Sequence, residues 1–100
     1  MGAEQNGGAD ARLEARIESL VERMTVEEKI GQMSQVQAAV GSIPEELRSA
    51  VAAGRIGSIL NEVDVEVVNE LQRIAVEDSR LGIPLMMGRD VIHGFRTILP

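Results

Sequence analysis

The chain has 100 residues, a formal net charge of −6, and 44% hydrophobic against 26% charged residues. This length allows one small domain with a modest core, and the composition is that of a folded chain rather than a disordered one. Phosphate binding needs clustered Lys and Arg, whereas the 10 basic residues are scattered among 16 acidic ones, so we predict no nucleic-acid partner. The absence of cysteine excludes disulfides and thiolate metal sites.

The N-terminal segment 1–10 is rich in glycine and small polar residues, which predicts a flexible tail with no fold of its own ahead of a domain over residues 11–100. Neither the apolar core of a signal peptide nor a membrane span is present. We therefore expect a soluble chain with no membrane partner. Its compartment would be cytoplasmic if no leader peptide was removed, and otherwise periplasmic or secreted.

The first half of the chain predicts two helices. The first is indicated by apolar residues that recur at helical spacing: Leu13, Ile17, Leu20, Val21 and Met24. Thr25 and Glu28 then form a capping box, which starts a short second helix that runs through Ile30. Residues 29–36 fit either the end of that helix or a strand.

The second half predicts helices that alternate with short strands. Ser42 and Glu45 suggest a capping box around Pro44 for a helix that ends at Gly54. The apolar run 56–60 predicts a buried strand. Asp64 can cap the next helix, which we expect to continue to residues 81–82, and residues 85–87 form another apolar run.

A strand, a helix and a second strand in this order make a βαβ unit, with parallel strands and a right-handed crossover. The sequence therefore predicts an α/β fold of two or three parallel strands. Periodicity alone does not choose between an α/β barrel and a doubly wound sheet. In either case the strands would have faces and an edge that this length of chain covers poorly.

Polar side chains gather where the last apolar run ends, in the stretch 85–97. Gly88 ends the apolar run, and Arg89 and Asp90 come directly after it. Because ligands of parallel α/β folds bind beyond the carboxyl ends of the strands, Asp90 is placed where it could contact one. A carboxylate there could accept hydrogen bonds from two sugar hydroxyls. Alternatively, Asp90 caps a turn or pairs with Arg89 or Arg96.

Other kinds of site have little support in the sequence. His93 is the single histidine, so a metal site lacks ligands and we predict none. A Ser-His-Asp triad could be drawn with Ser34, Ser58 or Ser79, but none of these serines lies in a nucleophile-elbow pattern. We expect His93 to hold the turn by hydrogen bonding.

Three stretches taken together resemble the N-terminal barrel domain of family 3 glycoside hydrolases. They are the stretch 24–33 (MTVEEKIGQM), the stretch 54–60 (GRIGSIL) and the stretch 80–100 (RLGIPLMMGRDVIHGFRTILP). The resemblance covers roughly residues 12–100, and the last stretch is similar to the β-glucosidase branch of the family.

This resemblance implies the first portion of a (β/α)₈ TIM-type barrel, incomplete in this chain, within a retaining, exo-acting β-glucosidase-like enzyme. It also implies that Asp90 binds hydroxyls of the departing sugar, while His93 and Arg96 match the motif as loop-shaping residues. The expected partners are a β-linked glucoside or oligosaccharide and the missing C-terminal remainder of the enzyme, with no cofactor.

The nucleophile and the acid/base residue of such an enzyme would lie beyond Pro100, so no catalytic residue is assigned within the chain, which we expect to be inactive alone. Retaining hydrolysis needs two carboxyl groups about 5 Å apart, and Asp90 cannot be both. The alternative hypothesis is a non-catalytic incomplete barrel that acts as an interaction or assembly module.

Overall fold

A computed structural model describes residues 2–90, with side chains from residue 8 onward. Helices and short strands alternate along most of this part of the chain. The helices are α1 (Gly2–Arg23), α2 (Val26–Gln32), α3 (Glu45–Ala52) and α4 (Val65–Arg73), the last continued by a π-helical segment (Ile74–Asp78). The strands are β1 (Gln35–Gln37), β2 (Ser58–Leu60) and β3 (Met86–Gly88).

The three strands form one parallel sheet in the order β1-β2-β3, with β2 in the centre. Their register places Gln35, Ser58 and Met86 side by side, and Val36, Ile59 and Met87 form the next row. The predicted α/β class and the parallel βαβ unit are therefore confirmed. The ambiguous segment 29–36 divides into the end of α2 and the start of β1.

The two faces of the sheet differ in what covers them. Ile59 is completely buried, and Val36 and Met87 from the same row pack against the core that the helices complete. The buried core residues are Ala38, Val51, Ile56, Ile59, Leu71, Ile74, Ala75 and Leu85. On the other face Met86 is 75% exposed, so within residues 2–90 this face of the sheet meets no covering layer.

Two of the predicted helix starts are confirmed at atomic detail. The Thr25 hydroxyl accepts a hydrogen bond from the Glu28 N–H at 3.1 Å, and the Glu28 carboxylate accepts one from the Thr25 N–H at 2.9 Å. Asp64 accepts hydrogen bonds from the N–H groups of Glu66 and Val67 at 2.9 and 3.2 Å. Both caps satisfy donors that the first turn of a helix leaves unpaired.

The predicted capping box at Ser42 and Glu45 is wrong. The helix begins after Pro44, which is its N-cap and has no side-chain cap hydrogen bond. Since proline forces the preceding residue into an extended conformation, Ile43 cannot join the helix and Ser42 stays outside it. The carboxylate of Glu45 instead accepts a hydrogen bond from the Ser49 hydroxyl at 3.2 Å.

Two helix boundaries also differ from the prediction. The last helix ends at Asp78 instead of reaching residues 81–82, because Ser79 is extended and its hydroxyl binds the carbonyl of Ala75. At the other end of the chain, α1 begins at Gly2, so residues 2–10 are helical where a tail without secondary structure was predicted. Its three glycines disfavour a helix, and the segment is helical because it extends the amphipathic helix of residues 11–23, where an added residue needs no new nucleation. The division into a tail and a domain stays a prediction.

Helix α2 packs closely against the backbone that leads into β2. A Cβ atom at Gly31 would lie 2.0 Å from the carbonyl oxygen of Gly54, and one at Gly57 would lie 2.4 Å from the carbonyl oxygen of Gln32. The contacted atoms are backbone atoms, which cannot move aside as a flexible side chain can. Only glycine fits at these two positions, both of which lie at the amino edge of the sheet.

Arg80 joins three segments at the same amino edge. Its Nε donates to the Glu28 carboxylate at 3.2 Å, and its Nη2 donates to the carbonyl of Arg23 at the end of α1. The Arg80 hydrogen bond is the largest cause that lowers the pKa of Glu28 to about 2, followed by the Thr25 N–H. The Glu28 side chain is 12% exposed.

We expect Gly31→Ala and Gly57→Ala each to destabilise the chain by about 3 kcal/mol, because overpacking against fixed backbone forces the structure to shift. Gly8→Ala is the matched control, since a Cβ at Gly8 in α1 meets no atom within 4 Å. That change should be neutral or stabilise by up to about 1 kcal/mol through helix propensity. Urea denaturation of the three variants measures the difference, and equal stabilities would contradict this account of the packing.

We expect the free energy of unfolding to fall as the pH drops from about 4.5 to about 2, in part through Glu28. A carboxyl whose pKa is lowered by folding stabilises the fold above its unfolded pKa, and the effect is lost as the pH falls through the folded pKa. Glu28→Gln should therefore flatten the acid limb of stability against pH. Glu18→Gln, at an exposed position on α1, should leave the slope as it is. An unchanged slope for Glu28→Gln in urea denaturation at several pH values would refute the role of this ion pair.

Candidate functional site

Polar residues collect at the carboxyl edge of the sheet, where parallel strands present their ends together. Residues 61–64 follow β2, and residues 89–90 follow β3. Since both strands run in the same direction, these segments meet at one edge. This is the edge at which parallel α/β folds bind ligands.

Asp90, the predicted substrate-binding residue, lies at this edge with an exposed side chain. Its backbone N–H donates a hydrogen bond to the Oδ1 atom of Asn61 at 2.8 Å. The main chain of Asp90 is thus tied to the end of the central strand while its carboxylate faces outward. Both interpretations drawn from the sequence, ligand binding by the carboxylate and a turn cap or ion pair with Arg89 or Arg96, stay predictions.

Asn61 makes three hydrogen bonds that connect the ends of all three strands. Its N–H donates to the carbonyl of Gly88 in β3 at 2.8 Å. Its side chain donates through Nδ2 to Oε1 of Gln37 in β1 at 3.4 Å and accepts from the Asp90 N–H. Asn61 has a φ of +70°, in the left-handed region that asparagine tolerates better than most residues.

Glu62 is a buried carboxylate with a structural role. It is 5% exposed and accepts hydrogen bonds from the N–H groups of Gly41, Val63 and Asp64 at 3.2, 3.0 and 3.1 Å. The loop it holds has positive φ at Val40 (+50°) and at Gly41 (+81°). Because these backbone donors are paired with its carboxylate, Glu62 secures the loop after β1 and the start of α4.

The structure locates some of the predicted site residues and adds others. Asp90 is within the described part of the chain, whereas His93 and Arg96 lie outside it. Sequence analysis missed Asn61 and Glu62, although the same signal was present: a run of polar residues that follows an apolar strand directly. Ligands of parallel α/β folds bind beyond the carboxyl ends of the strands, and this holds for the residues after β2 as much as for those after β3.

Two carboxylates elsewhere in the described chain, Glu70 and Glu28, form ion pairs that join parts of the fold. The pKa of Glu70 is lowered to about 2 by hydrogen bonds from Arg73 and then Arg48. The pocket lined by Glu28, Gln32 and Ile83 lies at the amino edge, away from Asp90, and its carboxylate is held by Arg80.

Residues 2–90 also support neither a metal site nor a serine nucleophile. Within that range no group of three metal-ligating side chains comes together. Two of the three serines considered for a triad donate to helix carbonyls, Ser34 to Ile30 at 2.9 Å and Ser79 to Ala75. A membrane span is not found among the helices of this part of the chain, which are too short or too polar to cross a bilayer.

Comparison with known proteins agrees with this architecture. Residues 25–100 match the model of the glycosyl hydrolase family 3 N-terminal domain. A periplasmic beta-glucosidase of Salmonella typhimurium is 36% identical over 87 residues, which cover 87% of this chain and 11% of that protein. A lysosomal beta glucosidase of Dictyostelium discoideum is 28% identical over 101 aligned positions, covering 78% of this chain and 12% of that protein.

The chain therefore spans about a tenth of the length of the curated relatives it matches. The matched region contains all three strands, α2 to α4 and Asp90. With three quarters of its residues in the family model, this chain belongs to glycosyl hydrolase family 3 and carries part of the family's N-terminal domain.

Proposed function

We propose that this chain is the N-terminal part of a retaining, exo-acting β-glucosidase-like glycoside hydrolase, in which it supplies part of the sugar-binding subsite through Asp90. A single observation carries the proposal. Asp90 lies two residues beyond β3, at the carboxyl edge of a parallel sheet, with its side chain exposed and its backbone tied to the end of β2. Membership of this family, together with similarity to two proteins that are beta-glucosidases, supports a β-linked glucoside as the substrate.

Asp90 suits the binding of a sugar because of what a carboxylate can accept. Its two oxygens can receive hydrogen bonds from two neighbouring hydroxyl groups, and such charge-assisted bonds are short and orienting. These bonds contribute to catalysis to the extent that they strengthen as the ring flattens toward the transition state. Asp90 would therefore be a substrate-binding residue, while the bond-breaking groups come from elsewhere.

The uncovered face of the sheet fits the interior of a (β/α)₈ barrel. Gln35, Gln37, Ser58, Leu60 and Met86 share that face, on the side of the sheet opposite the buried Ile59. A barrel of this kind takes about 250 residues, so a longer protein would supply the remaining strands. It would also supply the nucleophile and the acid/base carboxyl group, about 5 Å apart as retaining hydrolysis requires.

We expect Asp90→Ala, made in the complete protein encoded by the reading frame that contains this chain, to lower kcat/KM for an aryl β-glucoside by about 100-fold. The loss corresponds to about 3 kcal/mol, the value of one or two hydrogen bonds to a charged group. Asp90→Asn, which keeps the shape and one acceptor, should lose less. The measurements are kcat, KM and the inhibition constant of D-glucose.

Asp10→Asn is the matched control, because Asp10 is an exposed aspartate on α1 far along the chain from the site. It should leave all three constants unchanged. Unaltered inhibition by glucose in Asp90→Ala would overturn the assignment of Asp90. A frame that stops directly after Pro100, with no hydrolysis by its product, would overturn the enzymatic proposal in favour of an interaction module built on the open sheet.

A further inference from the structure

We propose that Asn61 is the positioning residue for Asp90. The inference rests on the proposed function of Asp90 and deepens it: Asn61 would fix the main chain from which the sugar-binding carboxylate projects. Asn61 would not touch the sugar, and it would act through Asp90.

The hydrogen bond between the two residues is short, and its acceptor is held in place. The Asp90 N–H lies 2.8 Å from Oδ1 of Asn61, across 29 positions of sequence. The Asn61 amide group is itself held, since Nδ2 donates to Gln37 in β1. A half-buried acceptor fixed by a neighbouring strand therefore sets the position of the exposed residue.

The backbone of Asn61 adds a second observation. With φ at +70°, a residue that carries a Cβ atom is strained, and such strain persists only where the surroundings hold it. Here the Asn61 N–H donates to Gly88 at 2.8 Å, and the carbonyl of the preceding Leu60 accepts from Ala38 at 2.9 Å. Glycine would relieve this strain at no steric cost, but it would remove the Oδ1 atom that receives the Asp90 N–H. The strained asparagine thus supplies a hydrogen-bond acceptor that an unstrained glycine could not.

The position of Asp90 matters because binding energy depends on geometry. A misplacement of about 1 Å in a group that orients the substrate can cost up to about 100-fold in rate. Losing one positioning hydrogen bond should displace the Asp90 carboxylate, whereas Asp90→Ala removes that carboxylate altogether. We therefore expect an effect of about 10-fold, smaller than that of Asp90→Ala.

The test uses the complete protein and two substitutions of the same residue. Asn61→Gly removes the acceptor and should raise the inhibition constant of D-glucose about 10-fold. Asn61→Asp keeps an Oδ acceptor for the Asp90 N–H, and the Gln37 amide can turn to donate to the other oxygen. At an ionic strength of about 1 M, which screens the charge that this change adds beside the Asp90 carboxylate, the variant should remain within about threefold of the parent. A loss as large as that of Asn61→Gly under the same conditions would overturn the inference.

Val40→Gly is the matched control for placing glycine at a left-handed position. Val40 has φ at +50°, is 53% exposed and lies in the loop after β1 at the same edge. It should leave the inhibition constant unchanged. A loss equal to that of Asn61→Gly would show that loop flexibility, and not the Asn61 acceptor, is responsible.

A double-mutant cycle separates positioning from general damage to the fold. If Asn61 acts through the Asp90 carboxylate, adding Asn61→Gly to Asp90→Ala should change the inhibition constant by less than twofold. A full further 10-fold loss would overturn the inference. A purely structural role of Asn61 would lower affinity whether or not Asp90 is present. The melting temperature of each variant is measured as well, because it detects general damage to the fold.

Failure of the proposed function can be told apart from failure of this inference. If Asp90→Ala leaves glucose inhibition unchanged, the proposed function fails, and the contact is then tested in the complete protein without sugar. Amide hydrogen exchange of Asp90 should then be at least 10-fold faster in Asn61→Gly than in the parent or in Val40→Gly. Equal exchange rates would overturn the contact itself.

Discussion

Parallel pairing of β2 with a strand on each side is the constraint on which the rest of the structure depends. It places Ile59 at the centre of the core, completely buried, and sends the residues on either side of it to the opposite face. Because the three strands run the same way, all their carboxyl ends lie at one edge. The helices must then return the chain to the amino edge each time, which is why the two edges carry different kinds of residue.

The amino edge is held by steric fit and by an ion pair. Gly31 and Gly57 let backbone segments approach closely, and Arg80 draws Glu28 and the end of α1 together. At the carboxyl edge the contacts are directional hydrogen bonds. Two consecutive residues divide that work, since Asn61 connects to both neighbouring strands and Glu62 secures the loop after β1. The close packing and the ion pair thus lie at the amino ends of the strands, and the candidate site lies at their carboxyl ends.

Much of this architecture could be predicted from the sequence, because it follows from local rules. The caps at Thr25 and Asp64 depend on residues two or three positions apart, and β2 and β3 were predicted from short apolar runs. Strand β1 was not, since the segment 29–36 fitted either a helix end or a strand. The failed cap at Ser42 also has a local cause, since Pro44 outweighs a favourable spacing. The prediction for Asp90 rests on its place after a strand together with the family resemblance. Asn61 and Glu62 could be singled out as polar residues after a strand. Their contacts with Gln37, Asp90 and Gly41 could not be predicted, because those partners lie 21 to 29 positions away.

The contrast between Asn61 and Glu62 shows how the edge can be rigid and still leave a group for a ligand. The buried carboxylate of Glu62 accepts hydrogen bonds from three backbone N–H groups, so its contacts are within the protein. Asn61 binds the main chain of Asp90 and leaves that residue's side chain exposed. A neutral amide is suited to this task, because it can donate to Gln37 and accept from Asp90 at once without adding a second negative charge beside the carboxylate. Asn61 therefore fixes the main chain of Asp90 through uncharged contacts, and under the proposed function the exposed carboxylate of Asp90 binds the sugar.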